Sequence, residues 1–327
     1  MAAVPRTGES PLNWRSVVRL GLLAAFGGAL AWSLATQWPE VQPLLGRVSI
    51  WSLAAAQAAV LAGILATFLC WREVMAGLGG RLPVAAGARV FFLGQLGKYL
   101  PGSVWPVMAQ MELGRDHQVP ERVSGAAVGV FLLVVVGSGL VVAAAAVPLL
   151  GPDTTGGYWW LLAVLPLALV VVHPPVLNRL LILGLRLARR PPLPSPLPAV
   201  AVARSAGWAL ASWLAYGAHV WVLAGQFGGG AGPLLLAQAT AAFAAAWCAG
   251  FLLVIAPAGA GVREAALVVL LGGVITRPAA VVVAVVSRLL FVVGDLGWGV
   301  VALVVGRGRV RPDRAGPPTR RSRGTGW

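Results

Sequence analysis

Apolar residues run along this chain in blocks of about twenty, and the polar residues sit mostly between the blocks. Windows near 17–36, 48–70, 123–149, 158–173, 200–224 and 233–256 are apolar enough to cross roughly 30 Å of hydrocarbon as helices. A last region, 262–304, divides at Arg277-Pro278 into a short span and a long one. The pattern predicts an all-α polytopic membrane protein with about eight transmembrane helices plus a re-entrant hairpin.

Two apolar stretches are broken in the same way. One reads GQLGKYLPGSVWPVMAQMELGR over 94–115, the other APAGAGVREAALVVLLGG over 256–273. Each puts Gly and Pro inside the run and charge beside the break: Lys98 and Glu112 in the first, Arg263 and Glu264 in the second. In lipid, an interrupted helix survives only where protein or a watery cavity satisfies its freed backbone groups. Broken segments in two halves of a chain are the sequence pointer to a transport site. The break positions are Gly97, Pro101 and Gly102, then Pro257, Gly259 and Gly261.

Charge sets the orientation. Arg6, Arg15 and Arg19 precede the first window, and Arg72, Arg81 and Arg89 follow the second. Arg179, Arg186, Arg189, Arg190 and Arg204 lie between the fourth and fifth, and seven Arg follow Gly306. The opposite loops, 37–47, 150–157 and 225–232, hold only Arg47. The positive-inside rule therefore predicts an inner (cytoplasmic) membrane protein with both termini cytoplasmic. Segment 86–121 must then enter and leave on one side, and 262–276 must cross despite its shortness. Residues 1–306 are expected to form one membrane domain, with halves 1–190 and 199–306 joined by the Pro-rich linker 191–198; 307–327 reads as a basic disordered tail. Segment 176–190 reads as an interfacial amphipathic helix, and Gly125-x-x-x-Gly129 as a helix-packing contact. The basic N-terminus resembles a signal peptide, but its apolar run is long enough to be a retained first helix.

Composition removes whole classes of function. The chain is 58% hydrophobic and 11% charged, with mean hydropathy +0.83, which leaves no room for a separate soluble catalytic domain. Net charge is +15, from 24 Arg and the single Lys98; without a basic face interleaved with aromatics it points to lipid headgroups, not nucleic acid. Cys70 and Cys248 lack metal-ligand spacing. HExxH, GxSxG and Walker A motifs are absent, His117, His173 and His219 are scattered, and the first external loop holds only Glu40 as an acid. No enzyme activity, metal or cofactor is expected.

The remaining chemistry is concentrated in six residues. A helix starting near Val262 offers free N–H groups and a positive dipole end to an anion, and Arg263 adds bidentate donors for phosphate. Glu264 suits the same first turn; alternatively, Arg263 and Glu264 are an interfacial pair. Lys98, beside Tyr99, is either a phosphate contact or a snorkelling anchor. Arg288 and Asp295 each cost roughly 2.5–3.5 kcal/mol near a helix centre. Seven residues separate them, about 10 Å of rise, so each needs a partner elsewhere or a wet cavity. Glu264 is the partner expected for Arg288.

LGKYLPGSVWPV at 96–107, Val119-Pro120 before a long span, and PAGAGVREAAL at 257–267 resemble the lysylphosphatidylglycerol synthase transmembrane-region family. Its flippase-like membrane domains also occur in multiple peptide resistance factors. The first family motif falls on Gly97, Lys98, Tyr99, Pro101 and Gly102, the second on Pro257, Gly259, Gly261, Arg263 and Glu264. The resemblance implies a bundle with broken helices that moves a lipid or lipid-linked headgroup between leaflets. The synthases also carry a cytosolic aminoacyl-transferring domain, and this chain ends soon after its last span, so synthesis of the aminoacylated lipid is not expected. The reading is a translocator for an anionic phospholipid or polyprenyl-phosphate-linked lipid, with Lys98 and Arg263 on the phosphate, Glu264 balancing or gating, and Arg288 with Asp295 along the polar path. The alternative is a non-transporting membrane scaffold for a lipid-modifying enzyme or glycosyltransferase.

Overall fold

The computed structural model describes residues 39, 42–44, 46–99, 105–145, 160–193, 195–252 and 261–307. The expected first span, the 150–157 loop, the tail beyond Arg307, and Pro101, Gly102, Pro257 and Gly259 lie outside the described residues. Within them every regular element is helical. The elements are α1 (Ile50–Gly77), α2 (Val84–Leu96) running into a 3-10 turn (Gly97–Tyr99), α3 (Trp105–Arg115) and α4 (Glu121–Ala145). They continue with α5 (Trp160–Val172), α6 (Pro174–Leu187), α7 (Ala199–Gly225), α8 (Pro233–Leu252), α9 (Val262–Leu271) and α10 (Arg277–Arg307). Helices α1, α4, α8 and α10 are long and apolar enough to cross a membrane, and α5 with α6, bent by 75°, would make a fifth if the pair is one broken span.

The burial pattern of α10 shows which solvent this bundle is built for. Ser287, Phe291, Asp295 and Ala302 face inward, while Leu289, Val293, Leu296, Val300 and Val304 are exposed. Polar groups inside and an apolar stripe outside reverse the pattern of a water-soluble helix. With its apolar helices, the protein is a multi-pass membrane protein.

Helices α1 and α7 form the central pair, flanked by α4, α8 and α10. Close approach depends on small residues: a methyl group at Gly217 of α7 would sit 1.8 Å from Thr240 Oγ1 of α8. Gly217→Val is expected to cost about 1–3 kcal/mol by overpacking, read as a lower unfolding temperature in detergent; an unchanged midpoint would mean the helices are not held this close. The Gly125/Gly129 expectation finds one contact among the described residues. No described atom lies within 4 Å of a methyl built at Gly129, and at Gly125 only Met111 Sδ comes near, at 3.7 Å.

Several helix ends meet at one end of the bundle. Gly77 at the end of α1 lies against Leu197 and Ala201, and Gly80 lies against Val123 of α4. Arg115 closing α3 bonds Glu112 (3.1 Å) and approaches Glu121 opening α4 (3.5 Å), and Glu121 also holds Arg190 beyond α6 (3.3 Å). The α2–α3 hairpin thus begins and ends at this arginine-rich end. Its arms pack together: a methyl at Gly94 would meet Gln110 Cγ at 2.4 Å, and one at Gly97 would lie 3.0 Å from Pro106 N. Segment 176–190 is helical mainly as α6, whose Asn178 accepts from Leu197 N–H and donates to Leu197 O, pinning the linker.

Candidate functional site

Helix α10, about 46 Å long for its 31 residues, carries a short element on each half. On its C-terminal half lies α2: Phe92 stacks on Trp298 (5.0 Å between centroids), and Leu96 packs at Gly299. Thirteen residues of α2 rise about 20 Å, so the 3-10 turn arrives near the middle of α10. On the N-terminal half lies α9, ten residues and about 15 Å long, returning through a short turn into α10. The helical part of 262–276 therefore covers about half of a bilayer core. The two half-height elements come from opposite ends and meet the middle of α10 between Arg288 and Asp295.

Charge is paired there in two places. Lys98 Nζ lies 2.7 Å from Asp295 Oδ2, with side-chain exposures of 30% and 5%, and the Tyr99 hydroxyl donates to the same oxygen at 2.5 Å. Arg288 Nη1 lies 3.5 Å from Glu264 Oε1, with exposures of 25% and 8%. The contact expected between Glu264 and Arg288 is therefore present. Asp295 is bound to the other broken segment instead, so each of the two mid-helix charges of α10, Arg288 and Asp295, is matched by one of the two breaks. The arrangement answers the cost of isolated charges in a membrane helix.

The α9 start is built by its own sequence. Gly261 at the N-cap holds φ +85°, a left-handed conformation that glycine adopts without strain. The Glu264 carboxylate reaches back to accept the Gly261 N–H at 2.5 Å, as a side chain at the third helical position does in a capping box. Helix geometry leaves the next N–H groups without intrahelical acceptors.

Arg263 is 8% exposed and packs against two rings: its Cζ lies 4.5 Å from the centroid of Phe243 and 4.4 Å from that of Phe291. Those rings stack on each other at an interplanar angle of 15°. Its Nη2 is buried with no hydrogen-bond partner among the described residues. Glu264, Arg288 and Asp295 are all within electrostatic reach of it. His219 stands edge-on to both rings and shares a 2.8 Å hydrogen bond with Ser287. Tyr216 contacts the same ring pair and bonds Thr67 at 2.8 Å.

All six sequence-selected residues, Lys98, Tyr99, Arg263, Glu264, Arg288 and Asp295, thus gather around the middle of α10. Phe243, Phe291, His219 and Ser287 were not selected. The available signal was spacing: Ser287, Phe291 and Asp295 recur every four residues, on one face of α10. Away from this cluster, a cavity of about 320 Å3 opens toward the arginine-rich end, lined by Trp71, Arg72, Glu73, Arg81 and Arg204 among others. Among the described residues no group of three or more His, Cys, Asp or Glu is placed to hold a metal ion.

The family model described as "Lysylphosphatidylglycerol synthase TM region" matches residues 17–299, most of the chain and both broken segments. No curated protein matches the chain.

Proposed function

We propose that this chain, which belongs to the lysylphosphatidylglycerol synthase TM region family, is a translocator for lipids with an anionic phosphate-bearing headgroup. Membership ties the protein to lipid handling in a membrane; movement of the lipid is the further step. One observation carries it: two half-height elements from opposite ends converge at mid-helix on a buried, charged cluster. A site at the middle of the bilayer, reached from either side by broken helices, is the arrangement that alternating access requires. A bundle whose only task was to anchor a partner has no need of five charged side chains at that depth, where each charge raises the insertion cost.

In this reading α2–α3 re-enters the membrane from the cytoplasmic leaflet, because the arginines at its base obey the positive-inside rule. An anionic headgroup is drawn first to the arginine-lined cavity at that end. It then reaches the α9 N-terminus, where free N–H groups and Arg263 offer donors aimed at phosphate. In this reading the charged groups of the cluster bind and release the headgroup, and the buried Ser287–His219 hydrogen bond holds the ring pair behind Arg263.

The test is translocation of headgroup-labelled phospholipid and polyprenyl-phosphate probes in proteoliposomes, with the native chain beside Arg263→Ala. The expected result is protein-dependent movement that falls at least tenfold in a variant with the native elution profile and unfolding temperature. Absence of movement for every probe would overturn the passive-translocator reading.

A further inference from the structure

The charges in the cluster do not balance. Lys98, Arg263 and Arg288 bring three cations, Glu264 and Asp295 two carboxylates, and both carboxylates are already engaged with the other two cations. One positive charge is left over, and geometry assigns it to Arg263, nine-tenths buried with Nη2 unpartnered among the described residues. The helix N-terminus beside it adds further N–H donors beyond the one that Glu264 caps.

From this excess we infer that the site takes a headgroup with a single net negative charge: a monoanionic phosphodiester carrying no cation of its own. The inference rests on the translocator reading and narrows it to a substrate class. A buried site is most stable when its bound state is neutral, because uncompensated charge is costly away from water. A phosphodiester monoanion brings the cluster to zero. A phosphomonoester, close to a dianion above pH 7, overshoots to one negative charge. A zwitterionic headgroup leaves the positive charge in place, and its ammonium competes with Arg263 for the same phosphate. The two rings against Arg263 reinforce the selection: its guanidinium is packed against Phe243 and Phe291, so it is held in place for one acceptor group.

The experiment uses the full chain in detergent at pH 8 with short-chain dioctanoyl lipids, scored by the shift in unfolding temperature and by dissociation constant. The probes are phosphatidylglycerol, phosphatidic acid, phosphatidylcholine and the soluble headgroup glycerophosphoglycerol. Phosphatidylglycerol is expected to bind at least tenfold tighter than phosphatidylcholine and tighter than phosphatidic acid. Equal binding of the three lipids, or a preference for phosphatidic acid, would overturn the inference. Glycerophosphoglycerol binding as tightly as the lipid would support the phosphodiester class while removing the lipid from the translocator reading.

Asp295→Asn gives a second arm by raising the excess from one charge to two. Phosphatidic acid should then overtake phosphatidylglycerol, and an unchanged order in the folded variant counts against the charge rule. Lipid movement is scored separately in vesicles. Charge-selective binding without movement would fail the translocator reading and leave the site assignment standing.

Discussion

Asp295→Ala is expected to lower the stability of the protein by about 3–5 kcal/mol, the cost of breaking a buried pair by removing one partner. The Asp295 carboxylate is 5% exposed and serves two donors, Lys98 at 2.7 Å and the Tyr99 hydroxyl at 2.5 Å. Removing it leaves an ammonium and a hydroxyl at the tip of the hairpin with no acceptor in common. Lys98 keeps 30% exposure, so some hydration remains to it and the lower end of the range applies. Replacing both members, Lys98→Met with Asp295→Leu, should recover most of the loss, since apolar pairs of similar volume match or exceed buried ion pairs. The comparison is made by thermal unfolding in detergent, followed by intrinsic tryptophan fluorescence. If the double variant is as unstable as Asp295→Ala, the pair is not the source of the loss. The double variant also separates stability from function: it should fold and still fail to move lipid, because the cluster has lost its link to the hairpin.

What the sequence disclosed about this site follows from energetics more than from pattern. Arg288 and Asp295 are conspicuous because a charge in an apolar helix must be answered by another group, and few candidates exist in a chain with so little charge. Glu264 was identifiable as the partner of Arg288 for that reason. The partner of Asp295 was not: hydropathy shows that 94–115 is interrupted, but not how deep its tip sits along another helix. Depth follows from the base of the hairpin sharing an end with the C-terminal half of α10, which is a matter of tertiary contact. Phe243 and Phe291 were invisible for the opposite reason, since a phenylalanine in an apolar span carries no signal by itself. The window 262–276 misled as to length because it counts apolar residues, whereas the α-helix stops at Leu271 before Gly272-Gly273. Gly125 and Gly129 had the right spacing, yet among the described residues only Met111 comes near, at Gly125; spacing alone says little in a chain with 42 glycines.

Glu264 is where stability and transport should pull apart. Its carboxylate accepts the Gly261 N–H and pairs with Arg288, so Glu264→Ala removes a cap and a counter-charge together and should cost about 3–5 kcal/mol. Glu264→Gln keeps an acceptor for Gly261 and should be milder by about 0.5–1.5 kcal/mol, the worth of one hydrogen bond. In the Gln variant the excess positive charge around Arg263 rises from one to two. A monoanionic lipid should therefore bind about tenfold tighter, roughly 1.4 kcal/mol, and leave more slowly. Translocation requires release, so movement in proteoliposomes should slow while affinity rises. A purely structural Glu264 makes the opposite forecast, with affinity and movement falling together as the fold loosens. Measuring both on the same preparation decides the matter: tighter binding with slower movement identifies Glu264 as the group that balances Arg263 and lets the headgroup go.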